Sequence, residues 1–312
     1  MSLDPRKVFG ETLLALGRAN ERIVAVSCDS ASGAGMADFF KEFPERSVEA
    51  GISEQNAIGI CAGLARRGFI PIIAAITPFL TMRAYEQVRD DLGYMNLNVK
   101  IVGSGGGLAY STLGSTHQAV EDVALMRTVP NMTILCPCDG ADIRKALETA
   151  FETQGPVYIR MPRQPREVIA QQRDLRFGKA EILKDGKDIA ILATGPMTEE
   201  AQVAAEMLKK DGIDAAVLGF MTVRPLDEET IKAYAGKVGA IVTVEEHSVI
   251  NGFGSAVAQC LAPEKEKPPV YITGIPEGAK ETGPYKELLD YYGLTGERIA
   301  ENIKKIKGLM QA

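Results

Sequence analysis

The chain has 312 residues, 46% of them hydrophobic and 24% charged, with a net charge of −6. That length suits about two domains, and the acidic balance argues against nucleic acid or an anionic membrane surface as a partner. The longest apolar run, 69–76, falls far short of the ~20 residues that a transmembrane helix needs. Asp4-Pro5-Arg6-Lys7 opens a helical pattern instead of a signal peptide.

From the N-terminus, Asp4 caps a helix that runs to about Gly17, with Pro5 in its first turn. A buried strand over 23–28 and a short helix over 36–43 follow. A β-prone run, 46–49, then meets Gly51, Ser53 and a small-residue apolar helix over 55–66, which the pattern predicts to be buried. Next come a strand over 69–75, a helix over 78–92, and a strand over 99–102 that leads into Gly103-Ser104-Gly105-Gly106-Gly107. The first unit closes with a helix over 117–127, a strand over 132–135, a helix over 141–151 and a strand over 157–159.

Composition changes at about 164–187, a polar stretch containing Gln171-Gln172-Arg173-Asp174. A second alternating unit follows, with strands over 189–192, 215–218, 240–244 and 270–272. Its helices are expected over 198–210, 226–235, 254–261, 285–292 and 296–307. Apolar strands separated by helices imply mostly parallel sheets covered on both faces. The fold class is therefore α/β with two doubly wound domains, 1–165 and 188–312, joined by a linker over 166–187.

Five cysteines, an odd number, sit mostly in apolar contexts and are read as reduced thiols of a cytoplasmic protein. Cys136-Pro137-Cys138 is too tight for a zinc knuckle and has no second pair, and two histidines do not make a His-rich metal centre. Gly103-x-Gly105 follows a strand, but Leu108 stands where a dinucleotide fingerprint has its third glycine, and no helix begins until His117.

Glu54 is the central candidate. Ser53 is a natural N-cap, so Glu54 falls in the first helical turn. It either complements the helix dipole there or points into a low-dielectric cleft, where a carboxyl group can hold a proton. Phe79 follows an apolar strand, at the edge where open α/β sheets bind ligands; it is either core or a platform for a flat ring. His117 lies in a long glycine-rich loop, as a surface residue or as a proton-shuttling contact to a polar substrate. Arg6 and Arg163 are candidates for an anionic group.

Several of these pieces together resemble the transketolase family: Gly-Ile-Ser-Glu54-Gln-Asn, Gly68-Phe69-Ile70-Pro71 with Phe79, Thr116-His117-Gln118, Pro130-Asn131-Met132 and Pro137-Cys138-Asp139. The likeness continues through Thr243-Val244-Glu245-Glu246-His247-Ser248 and Gly252-Phe253-Gly254-Ser255. It covers the family's pyrimidine-binding and C-terminal domains only. The Gly-Asp-Gly of the family's metal motif is absent. The resemblance thus implies the C-terminal section of a split transketolase, active with an N-terminal subunit as an α2β2 heterotetramer.

By that resemblance the cofactor is thiamine diphosphate, with Mg2+ or Ca2+ held by the partner subunit. Glu54 would bond the pyrimidine nitrogen, and Phe79 would stack on the ring. His117 would contact sugar-substrate oxygens, while Arg6 and Arg163 would hold a phosphate. Three departures stand out: Leu113 replaces a usual acid, Gly105 a usual histidine and Gly33 a serine. They lead us to expect ordinary linear ketose phosphates to be poor donors. A 1-deoxyxylulose 5-phosphate synthase-like enzyme, suggested by Arg83, and an inert partner subunit are the alternatives.

Overall fold

A computed structural model describes residues 2–167 and 175–311. Its larger sheet has seven strands in the order Thr222–Arg224, Thr133–Leu135, Val157–Met161, Lys100–Ser104, Ile70–Ile76, Ile23–Ser27 and Ser47–Glu49. All neighbours are parallel except the first pair. The second sheet has five strands in the order Val270–Ile275, Ala240–Ser248, Ile189–Thr194, Ala215–Phe220 and Glu181–Lys184, with only the last pair antiparallel. The central strands are buried on both faces, which is why they read as unbroken apolar runs.

Helices Pro5–Ala19 and Gly140–Glu152 cover one face of the larger sheet, over a core that includes Phe9, Leu13, Ile72, Val102 and Ile159. Both start as their sequences dictate. Asp4 accepts from the Arg6 N–H at 2.9 Å, and Asp139 accepts from Ala141 and Asp142 at 2.9 and 3.0 Å. The opposite face shares a continuous core with the second sheet, from Ala57 and Ile73 through Leu192 and Phe220 to Phe253. Helices Met197–Lys210 and Gly296–Gln311 cover the far side of the second sheet.

Several local expectations change. Ser53 precedes helix Glu54–Arg66 but does not cap it; its hydroxyl donates to the Ala50 carbonyl at 2.8 Å. That helix is half-buried, not buried all round. Glu54, Ala57, Ile58, Cys61 and Ala62 form one inward stripe, while Gln55, Asn56, Gly59 and Gly63 are exposed. The helix expected over 78–92 contains two π-helical stretches, Phe79–Arg83 and Val88–Tyr94. The helix expected from His117 begins at Asp122, because Ala119 is extended and exchanges backbone hydrogen bonds with Gly107 at 2.8 and 2.9 Å. Strand Glu181–Lys184 lies within the range expected as linker, and Thr222–Arg224 crosses from the second unit to edge the first sheet.

Polar side chains are buried where the two units meet. Asp122 pairs with Arg160 at 2.8 Å and accepts from the Tyr158 hydroxyl at 2.6 Å. Arg160 also donates to the carbonyls of Ala119 and Glu246, at 3.0 and 2.9 Å. A carboxylate oxygen of Glu246 accepts from the Leu108 N–H at 2.6 Å, and the other accepts from Tyr285 at 2.7 Å. His247 is 1% exposed; its Nε2 accepts from the Ala124 N–H, and its Nδ1–H donates to the Ser248 carbonyl. That is a neutral imidazole, and burial pulls its pKa down to about 4.

Removing one partner of a buried ion pair strands the other. Arg160→Met should therefore lower unfolding free energy by ~3–5 kcal/mol, read from denaturant titration. A second test concerns acid. Between pH 6.5 and about 4 the unfolded chain protonates His247 and the folded chain does not. His247 therefore contributes a loss of stability as pH drops through that window, opposed by the neighbouring buried Glu245, whose carboxyl is pushed up to about 7 by burial and which adds stability as it protonates. Glutamine offers the same acceptor and donor without titrating, so His247→Gln should remove the His247 contribution and make the acid side of the stability–pH curve fall less, or rise; an unchanged slope would remove His247 as a contributor.

Candidate active site

The candidate residues gather along one edge of the larger sheet, just beyond the C-terminal ends of its parallel strands, the usual binding edge of such sheets. Ser47–Glu49 leads to Glu54, Ile70–Ile76 to Phe79, Lys100–Ser104 to the glycine loop and Val157–Met161 to Arg163. Glu54, the first helical residue, is 4% exposed because it continues the buried stripe of its helix. The side chain does not face an apolar cleft alone. Arg83 Nη1 donates to its Oε2 at 3.0 Å.

The π-helical turn Phe79–Arg83 makes this contact. Such turns are rare and recur at functional sites. Here the turn folds Arg83 back so that its guanidinium carbon lies 4.1 Å from the centre of the Phe79 ring. Phe79 and Glu54 thus already hold one flat hydrogen-bond donor between them, stacked on the ring and bonded to the carboxylate. A heteroaromatic ring with a donor at its edge fits the same two groups. Nearby, the His117 ring meets Phe79 edge-on, with centroids 5.4 Å apart at 69°. Thr116 Oγ1 lies 2.8 Å from His117 Nδ1.

On the other side of His117 lies Tyr110, at 5.8 Å between ring centroids. Its hydroxyl accepts from Arg163 Nη1 at 2.8 Å, and the guanidinium carbon sits 4.4 Å from the ring centre. Arg6, Arg163, Tyr110, Asp29, Ser30 and Ser104 all line one cavity of about 250 Å³. A chain of contacts from Glu54 through Arg83, Phe79, His117 and Tyr110 to Arg163 therefore leads to the cavity that Arg163 and Arg6 line, while Glu54, Phe79 and His117 stand outside its lining. Arg6 reaches the cavity with Asp4 behind it, paired at 3.1 Å.

Sequence reading missed Tyr110 and Ser104. Their only signals were a lone tyrosine in a glycine-rich loop and a serine at the end of an apolar strand. The structure also gives the three departures a physical form. Gly105 has φ +77°, and a Cβ there would stand 2.5 Å from the Tyr110 ring, so the ring occupies the space a side chain at 105 would take. A Cβ on Gly33 would meet nothing nearer than the Ser30 carbonyl at 3.7 Å, so its absence simply widens the cavity. Leu113 is 54% exposed and does not line the cavity.

Among the described residues, no cluster of three His, Cys, Asp or Glu side chains is placed to hold a metal, and no helix is long and apolar enough to cross a membrane. The five cysteines are free and buried, and burial raises Cys28 to about 11.

Comparison with known proteins agrees with this arrangement. The sequence matches the pyrimidine binding domain of transketolase over 1–167 and the transketolase C-terminal domain over 178–299. It is 42% identical over 301 residues to a transketolase C-terminal section of Methanocaldococcus jannaschii, covering 96% of this chain and 94% of that one. One subunit of the apulose-4-phosphate transketolase of Phocaeicola vulgatus is 41% identical, over 95% of each chain. The 6-deoxy-6-sulfo-D-fructose transketolase subunit SqwH of a Clostridium species is 40% identical, over 94% of this chain and 91% of the relative. A solved split-gene transketolase, described as an inactive beta4 tetramer, superposes with a TM-score of 0.87 at 39% identity over 98% of both chains. With both of its large sheets and nearly its whole length accounted for in this way, the chain belongs to the transketolase family, as a C-terminal section made of the pyrimidine-binding and C-terminal domains.

Proposed function

We propose that this chain is one subunit of a two-chain, thiamine-diphosphate-dependent transketolase that moves a two-carbon ketol unit from a ketose to an aldose. The observation that carries the reading is the Glu54–Phe79 pair, which holds a flat donor stacked on one residue and bonded to the other. Glu54 and Phe79 would hold the cofactor's aminopyrimidine. Bound thiamine diphosphate supplies the carbanion-stabilising chemistry. The chain's own part is to bind and orient the ring and to move protons. The Glu54 carboxylate shares a proton with the ring nitrogen, and Phe79 fixes the ring plane. His117, its Nδ1 beside Thr116, presents Nε2 to substrate oxygens. Arg6 and Arg163 take an anionic tail.

The diphosphate, and the Mg2+ or Ca2+ that accompanies it, would belong to an N-terminal subunit, because this chain has no Gly-Asp-Gly. An α2β2 heterotetramer in the cytoplasm is the corresponding assembly. In this reading residues 1–165 form the pyrimidine-binding domain, 166–187 the linker and 188–312 the C-terminal domain. Two of the relatives, one a phosphosugar and one a sulfosugar transketolase by name, support an anionic sugar as substrate.

Two outcomes are expected. Calorimetry on the chain alone should show weak or no binding of thiamine diphosphate, with or without magnesium; tight magnesium-dependent binding would sink the two-chain reading. In the complex reconstituted with its N-terminal partner, Glu54→Ala should cut turnover by ~10²–10⁴-fold, the usual contribution of a positioned acid–base group. Circular dichroism of the variant should match the parent. Retention of more than about a tenth of the activity would reduce Glu54 to a helix-dipole residue.

A further inference from the structure

Six polar side chains line the cavity of about 250 Å³: Arg6, Asp29, Ser30, Ser104, Tyr110 and Arg163. Its two guanidinium groups are matched in number by two carboxylates, Asp29 in the lining and Asp4 behind it. Arg6 is held by Asp4, with Nε and Nη2 at 3.4 and 3.1 Å from the two carboxylate oxygens, and Asp29 lies in the same wall as Arg163. The neutral donors are well placed. Tyr110 accepts from Arg163, which leaves its own O–H free to donate. The Ser104 hydroxyl is buried, 2% exposed, and has no hydrogen-bond partner. A buried hydroxyl left unpaired is costly, so a group at this wall that accepts from it is favoured. The Ser30 hydroxyl donates weakly to the Ala74 carbonyl at 3.3 Å. His117 is the other titratable group against the Tyr110 ring.

Desolvating an ion costs roughly the square of its charge in the Born picture, and that cost is recovered only where the site supplies opposite charge. A balanced cavity with free hydroxyl donors recovers it for one negative charge much better than for two. We infer that Tyr110 selects the terminal group of the substrate and that this cavity takes a singly charged oxyanion, a sulfonate, in preference to a phosphate dianion. This rests on the ketol-transfer reading for its place in catalysis, and on the cavity alone for its chemistry. Tyr110 holds the position by filling the space over Gly105.

Calorimetry on the full chain, with 2-hydroxyethanesulfonate and glycerol 3-phosphate as probes, tests it without partner or turnover. Sulfonate binding should be equal at pH 5.5 and pH 8. Phosphate ester binding should weaken several-fold at pH 8, since its second ionisation lies near pH ~6. Tyr110→Phe keeps the ring and loses the donor; sulfonate affinity should drop about tenfold, as for a hydrogen bond to a charged group. Ser104→Ala should act in the same direction. Phosphate binding that strengthens with pH, full affinity in Tyr110→Phe, or no binding of either probe overturns the inference. Ketol transfer in the reconstituted complex is a separate readout, so the cavity's selectivity and the overall reading fail independently.

Discussion

The ion pair between Asp122 and Arg160 ties the long loop to both large sheets. Arg160 lies on a central strand of the larger sheet and Asp122 begins the helix after the long loop. Through its second nitrogen Arg160 also reaches carbonyls of the loop and of the other sheet. Burying this charge is tolerable because Nε meets the Asp122 carboxylate and Nη2 two carbonyls, while the Tyr158 phenol donates to the same carboxylate oxygen. Glu246 then anchors the start of the loop at Leu108, and the Ser248 N–H anchors its end by donating to the Val120 carbonyl at 2.7 Å. The second unit therefore acts as the frame for a loop that carries Tyr110 and His117.

That frame explains how a glycine-rich segment without regular structure can present side chains at fixed distances. The loop is long, and ordering a long loop is costly unless it is tied. Here the ties come at both ends and from Gln118, which donates to the Glu281 carbonyl at 3.0 Å. The two halves of the site rest on different supports. Glu54 and Phe79 stand on a helix and a strand end of the larger sheet. Tyr110 and His117 depend on the joint between the sheets, and Arg163 meets them from a strand end.

Much of this was legible in the chain. The parallel sheets follow from unbroken apolar strands, and the site edge follows from polar residues placed just after them. Glu54, Phe79, His117, Arg6 and Arg163 are each weak signals alone, and it is the resemblance of several motifs to the transketolase family that makes them a set. What stayed hidden depends on three-dimensional closure. Arg83 joins Glu54 only because a π-helical turn shifts its direction, and periodicity at 3.6 residues cannot announce that. Tyr110 becomes visible once Gly105 is seen to leave room for its ring. The helix starts at Asp122 and not at His117 because of the bridge between Gly107 and Ala119, a pairing with no local signature.

The strand Thr222–Arg224 separates two kinds of boundary that usually coincide. By composition the chain divides near 164–187, but in the larger sheet the outermost strand comes from well beyond that point, pairing antiparallel with Thr133–Leu135. A fragment ending at the compositional break would expose the backbone of Thr133–Leu135 as a bare, apolar sheet edge, a template for intermolecular pairing. The module read from composition and the smallest stretch that covers its own sheet edge are therefore different lengths of the same polypeptide.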